Sequence, residues 1–335
     1  MKRWLLTALS FAAVAGISVY TIFAWSDQGI NLGLPWRAHA LAALVVLAEI
    51  VSRSWKITWS ANAVRIRLPF FTALRTTLAG DFGASITPAR SGAEPARYLV
   101  LAEAGIPPSS ALVVLFAELF LELLSVATVV VIVSIVFSEA GAVLGALVGV
   151  TGLLAAFVLG LGGLALVVSR RRVGDEPPRW ARRIGLNPAR WRIVQGWFGH
   201  VRSTVDQMRN VDLRWATASY LASVVHVAMK LVVLPALVLP AAPYTPLTPL
   251  ALWPLGFLYG AAVVPAPGGG GAVEIAFRAA LGKVIPPHIF PAALLWWRFY
   301  TFYIYIILGA LAAGRTAMRA VRKTEEMEDE FEAAT

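Results

Sequence analysis

The chain has 335 residues, 58% of them hydrophobic and 14% charged, with a mean hydropathy of +0.70. That balance excludes an ordinary soluble domain and points to a protein that crosses the bilayer many times. The net charge is +10 and there is no cysteine, which excludes disulfides and thiolate metal sites.

The charge is unevenly spread. Glu325, Glu326, Glu328, Asp329, Glu330 and Glu332 crowd the tail, and without these six the +10 becomes +16. The basic residues cluster at the ends of apolar runs, as the positive-inside rule expects, so they read as topology anchors rather than as a nucleic-acid surface. Twelve Trp, eight Tyr and sixteen Phe suit an interfacial aromatic belt and a packed interior.

In chain order, the start "MKRWLLTALSFAAVAGISVYTIFAW" has a basic end and an apolar run from Trp4 to Trp25. The run is near the ~20 residues that span a bilayer. Because more spans follow, it reads as an uncleaved first span rather than a signal peptide. Further spans are expected at about 38–55, 109–137, 141–168, 213–239 and 292–314. Two other apolar stretches, 68–108 and 250–291, are broken near the middle by Gly, Pro and charge.

Lys and Arg set the orientation. The segment 170–209 carries ten Arg and should be cytoplasmic, as should Lys2 and Arg3, the group Arg53, Lys56, Arg65 and Arg67, and the tail from Arg315. The number of crossings then requires 68–108 to begin and end on the cytoplasmic side and 250–291 to begin and end outside. Both read as re-entrant hairpins, entering from opposite faces.

The hairpins also resemble each other. "GASITPARSGAE" and "GAAVVPAPGGGGAVE" each carry Gly-Ala, then Pro-Ala, then Gly and a Glu (Glu94; Glu274). Each stretch closes on Ile-Pro-Pro, and eleven residues after the first of those prolines in one case (Pro107, Glu118) and the second in the other (Pro287, Arg298) a charge stands inside the following span. The expected fold is therefore an all-α polytopic membrane protein, with six full spans and two oppositely oriented re-entrant hairpins in an inverted repeat. Residues 1–138 form one half and 141–314 the other, with a charged cytoplasmic tail at 315–335. Such repeats with broken elements near the midplane point to transporters. Irregular backbone survives at that depth only where it is buried in protein or lines a wet cavity.

Several ionisable residues lie in apolar segments: Glu49, Arg75, Asp81, Glu94, Arg97, Glu118, Glu122, His226, Lys230, Glu274, Arg278 and Arg298. Each costs at least ~2.5–3.5 kcal/mol at a helix centre unless it is paired or hydrated. Helical spacing groups Arg90, Glu94 and Arg97 on one stripe, Glu274 with Arg278, Glu118 with Glu122, and His226 with Lys230. The plain alternative is a set of structural ion pairs, and His226 taken alone reads as a satisfied interior histidine. The glycine run lacks the Lys and Ser/Thr of a phosphate loop, and no histidine or carboxylate motif suggests a metal. No cofactor is expected.

At these residues the sequence resembles the flippase-like integral membrane family related to the transmembrane region of lysylphosphatidylglycerol synthases. The resemblance rests on "TPARSGAEPARYLVLAEAGIPPSSALVVLFAELFLELL" and on "VVPAPGGGGAVEIAFRAAL…WWRFYTFYIYIILGAL". It implies movement of a lipid or lipid-linked head group between leaflets. By position, Pro88, Arg90, Gly92, Glu94 and Arg97 match the first motif. Pro265, Pro267, Gly268, Gly269 and Glu274 match the second, and Arg298 the arginine of the last span. Members commonly carry Glu-Arg near the start of the long span, whereas here Glu118 is followed by Leu119. With no aminoacyl-transfer domain in the sequence, the chain is not expected to make aminoacylated lipid itself.

The expected activity is a lipid flippase, or transport of an anionic amphiphile, by a multi-pass protein of the cell inner membrane with both termini cytoplasmic. The expected binding residues are Arg90, Glu94, Arg97, Glu118, Glu122, Lys230, Gly268, Gly269, Gly270, Glu274, Arg278 and Arg298. The arginines suit phosphate oxygens and the glycines let a head group approach the backbone. The alternatives are an intramembrane enzyme modifying a lipid or polyprenyl-linked substrate, and a structural membrane-assembly protein.

Overall fold

The computed structural model describes residues 16, 20, 32–87, 90–137, 141–170, 176–178, 188–207, 211–261, 264, 266 and 269–312. The expected first span at 4–25 and the tail at 315–335 lie outside these, apart from Gly16 and Tyr20. From Trp36 onward ten helices are described, and no strand occurs among the described residues. They are α1 (Trp36–Ala63), α2 (Phe70–Ile86), α3 (Ala93–Glu103), α4 (Pro108–Val136), α5 (Gly141–Arg170), α6 (Pro188–Gln207), α7 (Leu213–Val238), α8 (Leu247–Gly260), α9 (Ala272–Leu281) and α10 (Phe290–Arg298). The last continues through a π-helical turn, Phe299–Tyr303, as far as Ala312.

Among the described residues four helices are long and apolar enough to cross a membrane: α4, α5 from Leu144, α7, and Phe290–Ala312. At 28 residues α1 is about 42 Å long at 1.5 Å per residue, but from its middle onward it carries Glu49, Arg53 and Lys56, all buried. The two broken stretches are helical hairpins. In the first, Gly83 of α2 lies against Gly92 and Gly80 against Arg97 of α3, which makes the pair antiparallel. In the second, Phe257 of α8 stacks near Phe277 of α9 at 5.9 Å, and Ala261 meets Gly269. The returning arms, of 11 and 10 residues, are about 15–16 Å long, half of a ~30 Å hydrocarbon core.

The most extensive packing is between α1 and α7. Ser60 bonds Ser219 at 2.8 Å, Ser219 donates to the Lys56 carbonyl at 2.7 Å, and the Asp212 N–H donates to the Ala63 carbonyl at 2.8 Å. The end of α1 therefore meets the start of α7, and the two run antiparallel. Small buried residues, Ser60 and Ser219, meet at this seam, and small side chains let backbones approach as membrane helices require. Contacts recur between the two halves of the chain. Helix α1 packs on α2 and α4 as α7 packs on α8 and α10, and α4 reaches α7 as the π turn reaches α1.

Two expectations change. The basic segment 170–209 is not all loop: 188–207 is a helix that packs on α4 and α5, with Trp191 buried. Arg53 and Lys56 are not membrane-edge anchors. The second span continues to Ala63, so both residues turn inward, while Arg65 and Arg67 remain beyond the helix end.

Candidate functional site

The first hairpin's tip is set by Thr87 and Gly92. Thr87, extended as a residue before proline should be, donates its hydroxyl to the Gly83 carbonyl at 2.7 Å and accepts the Gly92 N–H at 2.8 Å. A side chain on Gly92 would meet the Gly83 carbonyl oxygen at 2.7 Å, so glycine is needed for the arms to close. Within this turn Arg90 takes φ +58°, a conformation that costs an L residue about 1–2 kcal/mol. Its side chain is exposed on a cavity of about 640 Å³.

The cavity has two kinds of wall. One carries Glu49, Arg53, Asp81, Glu94, Arg97, Glu118, Glu122, His226 and Lys230, drawn from α1, α2, α3, α4 and α7. The other carries Val150, Leu153, Leu154 and Phe157 of α5 with Phe257, Leu258 and Phe302. The volume lies in the about 300–1,000 Å³ range of small-molecule sites.

The charged wall is a connected network. Lys56, with no exposed surface, donates to Glu122 at 2.9 Å and lies 3.3 Å from Glu118. Arg97 bonds Glu118 and, at 2.9 Å, Glu94. It reaches Glu118 by passing over Gly80, where a Cβ would stand 2.8 Å from Arg97 Cγ. Arg53 is bidentate on Asp81, with one arm at 3.1 Å, and lies 3.6 Å from Glu49. Tyr305 donates to Glu49 at 2.7 Å. Glu122 is the hub: it also accepts from Lys230 at 3.0 Å and from the Tyr259 hydroxyl, and His226 Nε2 lies 3.2 Å away. Removing one partner from a buried pair costs about 3–5 kcal/mol, so these contacts hold the five elements together. In this network five carboxylates face four lysines and arginines, and Arg90 makes no ion pair among the described residues.

The second tip is closed. Glu274, with no exposed surface, accepts the Gly271 N–H at 2.8 Å and lies 2.8 Å from Arg298 Nε. The expected helical neighbour, Arg278, lies on the exposed side of α9, so the partner of Glu274 comes from α10 instead. Gly269 and Gly271 have φ +68° and +82°. A Cβ on Gly269 would stand 2.8 Å from Val273 Cγ2 and 2.9 Å from the Ala261 Cβ, so packing of α8 on the tip explains this glycine. Arg298 lines the cavity beside the π turn, its guanidinium 4.8 Å from the Phe302 ring centroid.

Of the expected site residues, Arg90, Glu94, Arg97, Glu118, Glu122, Lys230 and Arg298 are brought together around the cavity. Gly269 is buried in the tip, Gly270 is half-buried beside it, and Glu274 stands behind Arg298. Gly268, Pro88, Pro265 and Pro267 lie outside the described residues. Among the described residues no three His, Cys, Asp or Glu side chains are grouped as a metal site.

The family described as "Lysylphosphatidylglycerol synthase TM region" matches residues 4–309. The chain belongs to that family. The match spans both hairpins, so the motif resemblance at 87–124 and 263–310 is part of a similarity over almost the whole sequence. A UPF0104 membrane protein of Archaeoglobus fulgidus is 29% identical over 107 residues, which are 30% of this chain and 32% of that relative. The chain thus matches about a third of the relative's length. In this member of the synthase transmembrane-region family, Glu118 has no arginine neighbour in sequence; Arg97 and Lys56 supply its charge partners from α3 and α1.

Arg53, Lys56, Tyr259 and Tyr305 are site residues that the sequence did not reveal. The signal for the first two was present, since Glu49, Arg53 and Lys56 fall at helical spacing of four and three on one face of a continuous apolar pattern. For the tyrosines no signal distinguishes a network partner from a belt residue.

Proposed function

We propose that this protein moves a phosphate-bearing amphiphilic lipid, or a lipid-linked head group, between leaflets without altering it chemically. One observation carries the reading: a single cavity whose one wall is an ion network with an arginine, Arg90, that makes no ion pair among the described residues, and whose other wall is apolar. An anionic head group suits Arg90, because a guanidinium fork matches phosphate oxygens, and acyl chain suits α5. The paired carboxylates and cations keep the remaining wall polar at little net charge, which lowers the cost of carrying a head group through the hydrocarbon.

In the arrangement we propose, six full spans and two re-entrant hairpins form an inverted repeat in the cell inner membrane, with both termini cytoplasmic. The antiparallel packing of α1 on α7, the recurring contacts between halves and the short arms α3 and α9 support it. Cysteines at Ser91 and Gly270, labelled from aqueous solution, test the topology. Labelling at neither position from either side would rule out hairpins that open to water.

The activity is tested by reconstitution into liposomes with fluorescent phosphatidylglycerol and, separately, a polyprenyl phosphate. Protein-dependent transfer between leaflets is expected for at least one, with the lipid recovered unchanged in mass. No transfer of either, or recovery of a modified lipid, overturns the proposal.

A further inference from the structure

His226 has no exposed surface and stands between two carboxylates from different helices. Its Nδ1 is 2.8 Å from Glu49 Oε1 of α1, and its Nε2 is 3.2 Å from Glu122 Oε2 of α4. A neutral imidazole carries one N–H and one lone pair. In the neutral ring one nitrogen has only a lone pair to set against a carboxylate, whereas a proton on both nitrogens sets positive charge against Glu49 and Glu122 at these distances; Nε2 is the nitrogen in hydrogen-bond geometry, and Nδ1 is a close charge contact without one. The charge balance agrees: the network holds one more carboxylate than lysines and arginines, and a protonated His226 removes the excess. Arg90 is then the surplus cation of the cavity, matched by one anionic phosphate.

We propose that His226 is a proton-binding site coupled to the lipid site, so that a proton on its ring and an anionic head group at Arg90 favour each other. The inference rests on the transport reading above and adds its driving ion. With His226 neutral, the network's excess negative charge offsets Arg90 and the head group is released; with His226 charged, the cavity retains it. The groups facing the ring carry fixed roles in this exchange. Glu49 is held by Arg53 and Tyr305, and Glu122 by Lys56, Lys230 and the Tyr259 hydroxyl. Each carboxylate therefore keeps cationic or hydroxyl partners when the proton leaves the ring.

The test measures the affinity of purified protein in detergent for short-chain phosphatidylglycerol between pH 5.5 and 9. One linked proton gives a loss of at most about tenfold per pH unit, within a total of about 5- to 150-fold for typical coupling between sites. H226Q should bind with a flat pH profile at the weak, high-pH affinity. A flat profile in the unaltered protein, or an unchanged slope in H226Q, overturns the proposal. Absence of phosphatidylglycerol binding at every pH would instead count against the phospholipid reading, and a second measurement then decides the proton site. In H39Q/H200Q/H288Q protein the imidazole nitrogen NMR signals come from His226 alone. Two N–H groups at pH 6 and one at pH 9 support the site, whereas a single N–H at both sinks it.

Discussion

Replacing Arg90 by glycine separates function from stability at this site. The arginine holds φ +58° and makes no ion pair among the described residues, so its removal breaks no buried charge pair. The left-handed conformation costs an L residue about 1–2 kcal/mol. Glycine relieves that strain, while its greater freedom in the unfolded chain returns about 0.5–1 kcal/mol. The net change in stability is therefore between about zero and a 1.5 kcal/mol gain. Head-group affinity should move the other way. A hydrogen bond to a charged group contributes about 1.5–3 kcal/mol, which at 1.4 kcal/mol per decade is roughly 12- to 140-fold in Kd. Thermal unfolding and phosphatidylglycerol binding, both measured in one detergent, check the two halves of the prediction. A destabilisation above about 2 kcal/mol would mean that Arg90 is a structural residue, and affinity within about threefold of the starting protein would mean that it does not meet the lipid.

Lys56→Met should cost about 3–5 kcal/mol of stability, because it leaves Glu118 and Glu122 buried without their shared ammonium. Adding Glu118→Gln should recover part of the loss, read as a coupling term in a double-mutant cycle of unfolding. Gly80→Ala puts a methyl 2.8 Å from Arg97 Cγ and should cost about 1–3 kcal/mol while slowing leaflet transfer, since Arg97 loses its path to Glu118. Glu274→Gln should lower the unfolding temperature by removing the charge from its buried contact with Arg298, yet leave phosphatidylglycerol affinity of the folded protein within about threefold, because Glu274 itself stands behind Arg298 and away from the cavity.

Much of this arrangement was legible in the sequence because its signals are coarse and physical. Gly, Pro and charge inside long apolar runs mark backbone breaks, and both tips fall where "ITPARSGAE" and "PAPGGGGAVE" placed them. Of the expected stripe Arg90, Glu94 and Arg97, only Glu94 and Arg97 lie on α3; Arg90 sits in the turn before it at φ +58°, so helical spacing misplaced it although all three line the cavity. What misled was the ambiguity of a basic residue near a span's end. Arg53 and Lys56 have the sequence position of interfacial anchors, and only the length of α1, which runs another seven residues past Lys56, carries them into the interior. Pairings across helices were also out of reach. Glu274 has a candidate partner one helical turn away in Arg278, but the rotation of α9 turns that side chain outward and brings Arg298 to it from α10.

The two hairpins share a sequence pattern yet use it for different ends. In each, a charged side chain of the returning arm meets one on the long helix that follows: Arg97 with Glu118, and Glu274 with Arg298. The polarity is reversed, cation then anion in the first half and anion then cation in the second. In the second half the pair is almost fully buried and Gly269 packs against Ala261, so Arg298 is the charged side chain that this pair brings to the cavity. In the first half Glu118 shares its charge between Arg97 and Lys56, Glu94 stands partly open at the cavity, and Arg90 makes no ion pair among the described residues. On the transport reading proposed above, affinity for lipid would rest on the first hairpin and rigidity on the second. On that reading, transfer between leaflets should depend on movement of the first tip against the second, across the Glu49–His226–Glu122 contact that joins α1, α7 and α4.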